Sequence, residues 1–145
     1  MFGVGLLVSA CATPTNAQVS TSESVAATTE AETLTVHIGQ LNGSTSNLGN
    51  MWTADVIITV VNASDQPMAD AVVSGIWDQS EGVDHICQTD INGECSLISP
   101  PIRKNIKQTT LAINNVDHPE STYVADEDHD PDSITQGTSI RIPKT

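Results

Sequence analysis

Cys87–Cys95 reads CQTDINGEC, two cysteines around an Asp/Asn/Gly turn. Asp90, Asn92 and Gly93 are residue types that accept tight-turn backbone angles, so the stretch predicts a compact antiparallel hairpin with arms close enough to crosslink. Two turns fit it. One centred on Ile91 sets Cys87 opposite Cys95, and a three-residue turn ending with Gly93 in the left-handed region makes them a diagonal pair. Either way the crosslink is expected to stay within one local hairpin and not to join two sheets. The chain has three cysteines, so pairing these two leaves Cys11 for another role. A structural disulfide predicts an oxidising compartment. Redox exchange is disfavoured, because Asp90 and Glu94 flank the pair and work against a thiolate.

Outward from the hairpin, the chain alternates apolar and polar residues with a period of two. Leu34, Val36 and Ile38 begin the pattern, and Gly39 to Asn50, rich in Asn, Ser and Gly, is expected to be a loop. WTADVIITVVN then places Trp52, Ala54, Val56, Ile58 and Val60 on one face, with Thr53, Asp55 and Thr59 on the other. NASDQPMAD is a turn, and AVVSGIWDQ a strand whose Val73, Gly75 and Trp77 share a side, Trp77 as core. Strands near His85–Thr89 and Glu94–Ile98 flank the turn, and Pro100 and Pro101 end the ladder. Further strands pass through Leu111 and Ile113 and through Ile140 and Ile142. About seven strands, no convincing helix and no internal repeat predict an all-β, seven-stranded antiparallel sandwich.

Composition narrows the function. Eighteen acidic residues against five basic ones give a net charge of −13, which repels nucleic acid and anionic lipid. Only 3% of the residues are aromatic, so a large pocket for an organic cofactor is not expected. Arg103, Lys104 and Lys107 form the one basic patch and read as solvation of the loop after the prolines.

Residues 1–10, MFGVGLLVSA, are apolar and run into Cys11. They are too short to span a bilayer and suit a signal-peptide core, truncated at a late start because no basic residue precedes it. Val8, Ser9, Ala10 and Cys11 resemble the bacterial lipobox, which implies lipidation of Cys11 and a membrane held through the lipid anchor. The other reading is cleavage after Thr15, Asn16 and Ala17, releasing a secreted protein. Residues 11–32 are Thr, Ser and Ala with a few glutamates and predict a disordered linker, leaving 33–145 as the folded domain.

From Val36 onward the sequence resembles an immunoglobulin-like β-sandwich module of secreted and cell-surface bacterial proteins. The resemblance rests on Val36 to Gly39, on Asn42, Gly43 and Ser44, and on Trp52, Thr53 and Ala54. It continues through P-x-x-x-A-x-V-x-G-x-W from Pro67 to Trp77, the C-x-T-D-x-x-G-x-C hairpin and Ile102, Arg103 and Lys104. Tyr123, and His129 to Asp132 before Gly137 to Ile140, complete it. The middle of the pattern is similar to carboxypeptidase-regulatory-like, transthyretin-like and invasin-type domains. The resemblance implies a Greek-key immunoglobulin-like topology and a structural, spacing or adhesive role without catalysis.

The candidate chemistry is sparse. DEDHDPD places Asp126, Asp128, Asp130 and Asp132 at alternate positions, and clustered carboxylates repel one another until a cation neutralises them. Calcium is therefore the one candidate cofactor, the other reading being a solvated acidic loop with no metal, since Pro131 and Gly137 stand where an EF-hand needs glycine and glutamate. His37, His85, His118 and His129 show no zinc-type spacing. No nucleophile motif or phosphate loop is present, so no enzyme is expected. The resulting expectation is a non-enzymatic module of the cell envelope for binding, adhesion or envelope architecture, its partner an unidentified protein or polysaccharide. The other reading is an accessory or inhibitory domain acting on a separate secreted enzyme through the acidic loop or the Gly39–Asn50 loop.

Overall fold

The computed structural model of the chain describes residues 33–131 and 138–145. The expected signal peptide, Cys11, the expected linker of residues 11–32 and Asp132 lie outside the described residues. Among these, nine strands form two sheets, and the fold is an all-β sandwich.

In the first sheet β1 (Thr35–Asn47) pairs antiparallel with β2 (Met51–Asn62), and β2 pairs in turn with β5 (Glu94–Ile98). Two strands of two residues each complete it: β6 (Ile102–Arg103) beside β2, and β8 (Thr122–Tyr123) running parallel to β1. The second sheet has the order β4-β3-β7-β9, built from β3 (Val72–Trp77), β4 (Asp84–Gln88), β7 (Gln108–Asp117) and β9 (Ser139–Pro143). A single turn of 3-10 helix, Ala125–Glu127, is the helical element among the described residues.

The core follows the alternation. Trp52, Ala54, Val56, Ile58 and Val60 of β2 are buried across the sandwich from Val73 and Trp77 of β3, Leu111 and Val116 of β7 and Ile142 of β9. At roughly 1.5–3 kcal/mol for each large apolar side chain removed from water, this interior is the main favourable contribution to folding. Trp52 also donates its indole N–H to the carbonyl of Ile106 at 3.1 Å, tying β2 to the loop after β6.

Two sequence expectations are corrected. Gly39 to Asn50 is not a loop: β1 continues to Asn47, and eleven residue partners run down the β1–β2 ladder from Val36↔Asn62 to Asn47↔Trp52. A bulge between Ile38 and Gln40 shifts the register. Before it Val36 and Ile38 face inward, and after it Leu41 and Gly43 do, so the apolar phase flips by one residue. Gly43 keeps that face small by necessity, since a Cβ there would stand 2.9 Å from Cγ1 of Ile142 in the opposite sheet.

The second correction concerns the cysteine stretch. Cys87 and Cys95 are disulfide-bonded, but β4 pairs with β3 and β5 with β2, so the bond joins the edge strands of different sheets. The turn itself is the three-residue form: the amide of Asp90 donates to the carbonyl of Glu94 and that of Gly93 to Asp90, with Gly93 at φ 73°. Beyond that single closed pair the arms diverge. Thr89 is held by the segment entering β3, donating its amide to the carbonyl of Ala71 and its hydroxyl to that of Met68, while the carbonyl of Gly93 accepts from Val60 in β2. Each arm is captured by a separate sheet before the two can pair with each other.

Candidate functional site

The first sheet would end at β1 with unpaired backbone groups, and the chain after β7 fills them. Thr122, Val124 and His129 donate their amides to the carbonyls of Leu34, Val36 and Ile38 in turn. The 3-10 turn Ala125–Glu127 takes up the residues between the last two contacts and lifts Glu127 onto the outer face of the sheet. The remaining donor, the amide of Ile38 at the bulge, is taken by the Asp128 carboxylate at 2.7 Å, whose other oxygen accepts the hydroxyl of Tyr123. Burial pushes the Asp128 carboxyl above its ordinary value, an effect partly offset by these two hydrogen bonds and by the field of His37 and His129. Burial and then the Asp128 carboxylate likewise push the Tyr123 phenol well up.

This edge segment creates a polar cluster around His37. In β1 His37 lies between two core residues and so points to the outer face, yet its side chain is only 6% exposed. Three side chains cover it. Asp65 Oδ1 lies 3.8 Å from Nε2, Glu127 Oε2 lies 3.7 Å from Nδ1, and the ring of His129 stands 5.3 Å away between centroids. Nδ1 of His37 has no hydrogen-bond partner although it is buried. Local sequence explains Asp65: the side-chain oxygen of Asn62 accepts the amides of Ser64 and Gln66, and this closed turn holds Asp65 at φ 60°, a conformation that Asp tolerates. His129 is fixed by its amide on β1, and its Nδ1 lies 3.3 Å from the carbonyl of Glu127. One potential ligand atom from each of His37, Asp65 and His129 lies within 4.8 Å of the others.

Three of the four aspartates of the acidic loop are among the described residues. Asp126 is exposed, Asp128 is buried with both oxygens engaged by the Ile38 amide and the Tyr123 hydroxyl, and Asp130 is buried. Arg103, Lys104 and Lys107 are exposed. At the opposite end of β1, Thr45, Asn47, Trp52 and Lys144 line a cleft of about 100 Å³, below the ~300 Å³ at which small-molecule pockets begin. Sequence reasoning missed the histidine cluster, because its members come from three segments with no shared motif. The one available signal was His37 itself, a titratable residue between two core positions.

No protein-family model, no curated protein and no solved structure matches the chain.

Proposed function

We propose that the chain is an exported, immunoglobulin-like module, anchored to the membrane by lipid on Cys11, that works in binding, adhesion or envelope architecture and catalyses no reaction. The observation carrying this reading is the Cys87–Cys95 disulfide between the two sheets, a bond that an oxidising compartment sustains and the cytosol does not. The strand pairing suits the immunoglobulin-like Greek key. With the two-residue strands β6 and β8 set aside, seven strands remain: β1, β2 and β5 in one sheet, and β4, β3, β7 and β9 in the other. The chain crosses between sheets after β2, after β4 and on the way from β5 to β7. Here the crosslink sits between edge strands, where antibody domains place it between central ones.

The experiment has two arms. Expression in a bacterial host with labelled fatty acid should mark the chain and lose the label in Cys11→Ala; an unlabelled chain recovered from the medium would refute the anchor. Capture from native membranes should then retain wall polymer or a surface protein. A single stoichiometric enzyme, inhibited or activated by the chain, would instead establish the accessory-domain reading.

A further inference from the structure

We propose that His37, Asp65 and His129 form a binding site for a divalent transition-metal ion, with zinc the ion their donor set fits. This holds whether or not the chain is anchored to a membrane.

Two imidazoles and one carboxylate make a donor set that borderline metals take up, and hard cations such as calcium do not, since those want oxygen throughout. Nε2 of His37 faces the Asp65 carboxylate and is the nitrogen placed to bind. Nδ1 of the same ring then carries the proton and points at the Glu127 carboxylate 3.7 Å away, the kind of outer carboxylate that sets the tautomer and orientation of a ligating histidine. In His129 the carbonyl of Glu127 stands 3.3 Å from Nδ1, which favours the proton there and leaves Nε2 free to ligate. Glu127 thus faces both rings, its side chain toward His37 and its backbone carbonyl toward His129.

The spacing is wider than a bound ion requires. Tetrahedral bonds of ~2.0–2.1 Å set ligand atoms roughly 3.3 Å apart, against the 4.8 Å that bounds the present cluster. Closure needs movement only at the exposed members, because Asp65 is 75% exposed on its turn and His129 is exposed too, while His37 stays fixed in β1. The buried Nδ1 of His37, which has no hydrogen-bond partner, gains one when the exposed Glu127 carboxylate closes the remaining distance to it. Three protein ligands leave the fourth position of a tetrahedral ion open to water.

The test uses the full chain without a histidine tag, stripped with chelator and titrated with zinc chloride by calorimetry. One equivalent is expected to bind and the thermal midpoint to rise. Long-range proton–nitrogen spectra should show the imidazole nitrogens of His37 and His129 shifting, with those of His85 and His118 unmoved. His37→Ala is buried and risks unfolding, so the deciding variants are the exposed ones. His129→Ala and Asp65→Ala are each expected to weaken zinc binding at least tenfold, and Glu127→Ala roughly tenfold by loosening His37. Three results would overturn the assignment: no heat and no shift at millimolar zinc, undiminished affinity in His129→Ala, or a calcium response equal to that of zinc.

Discussion

Replacing Cys87 and Cys95 by alanine tests the most consequential feature of the fold. The disulfide closes a chain segment with a sequence separation of 8, and the loop-closure estimate for that length is about 2.5 kcal/mol of stability. With a urea dependence of about 1.5 kcal/mol per molar, the midpoint should fall by roughly 1.7 M. The entropy estimate is blind to which elements are joined, but the effect on local opening is not. β4 has one neighbour, β3, and contributes no fully buried residue; β5 has one long neighbour, β2. The covalent bond is therefore the main tie that keeps β4 against the other sheet. Hydrogen exchange in the alanine variant should accelerate through both Asp84–Gln88 and Glu94–Ile98, with β1 and β7 unchanged. Acceleration confined to residues 89–93, with both strands still protected, would refute the inter-sheet reasoning and restore a closed hairpin. A loss below ~0.5 kcal/mol would refute the energetic part.

Asp128→Ala orphans the buried Ile38 amide and frees the Tyr123 hydroxyl, which should cost ~2–4 kcal/mol in urea unfolding. Asp128→Asn keeps one acceptor and sheds the buried charge, so it should cost less than ~1.5 kcal/mol; equal losses would mean that charge, not the acceptor, holds the segment. Tyr123 is the only tyrosine, so phenolate absorbance reports on it alone. Its folded-state value lies above the ordinary 10.0, so its contribution to stability is intact below that pH and is lost as pH climbs toward the folded value. Phenolate should therefore appear only as the protein unfolds in alkali, and a reversible midpoint near 10 in the folded chain would sink the idea. Gly93→Ala puts a Cβ 2.7 Å from the carbonyl oxygen of Val60 and 2.9 Å from the amide of Met68, at φ 73°. It should cost more than ~3 kcal/mol, while Gly82→Ala, at φ 84° in open space, should cost only the ~1–2 kcal/mol of the left-handed conformation; equal costs would show that no close backbone approach exists at Gly93.

The sequence shows clearly those elements whose faces keep one phase. β2 from Trp52 to Val60 and β3 from Val73 to Trp77 alternate without a break, and their buried residues are the ones the pattern selects; Val61, buried beside Val60 at the end of β2, is the exception. β1 hides its second half because the bulge at Gly39 reverses the phase, and because the inward positions beyond it include glycine and threonine, which carry no apolar signal. That a tight turn lies at Asp90–Gly93 is legible, since local backbone angles decide it, but the choice of the three-residue form over a turn centred on Ile91 is not. Nor are its arms, because capture of Thr89 by Ala71 and of Gly93 by Val60 depends on partners about 20 and 30 residues away. The cluster around His37 was hidden for the same reason: a turn, a strand and an edge segment supply one member each, and only the folded sheet edge brings them together.

The length of β1 has a mechanical consequence. Thr35 stands at one end of this strand, while the hydroxyl of Thr145 meets that of Thr45 near the other, so the start of β1 and Thr145 lie at opposite poles. A pull between those poles acts along β1 and slides it lengthwise past β2. The rungs of that ladder then share the load together, and do not open one after another as they would if the strand were peeled sideways.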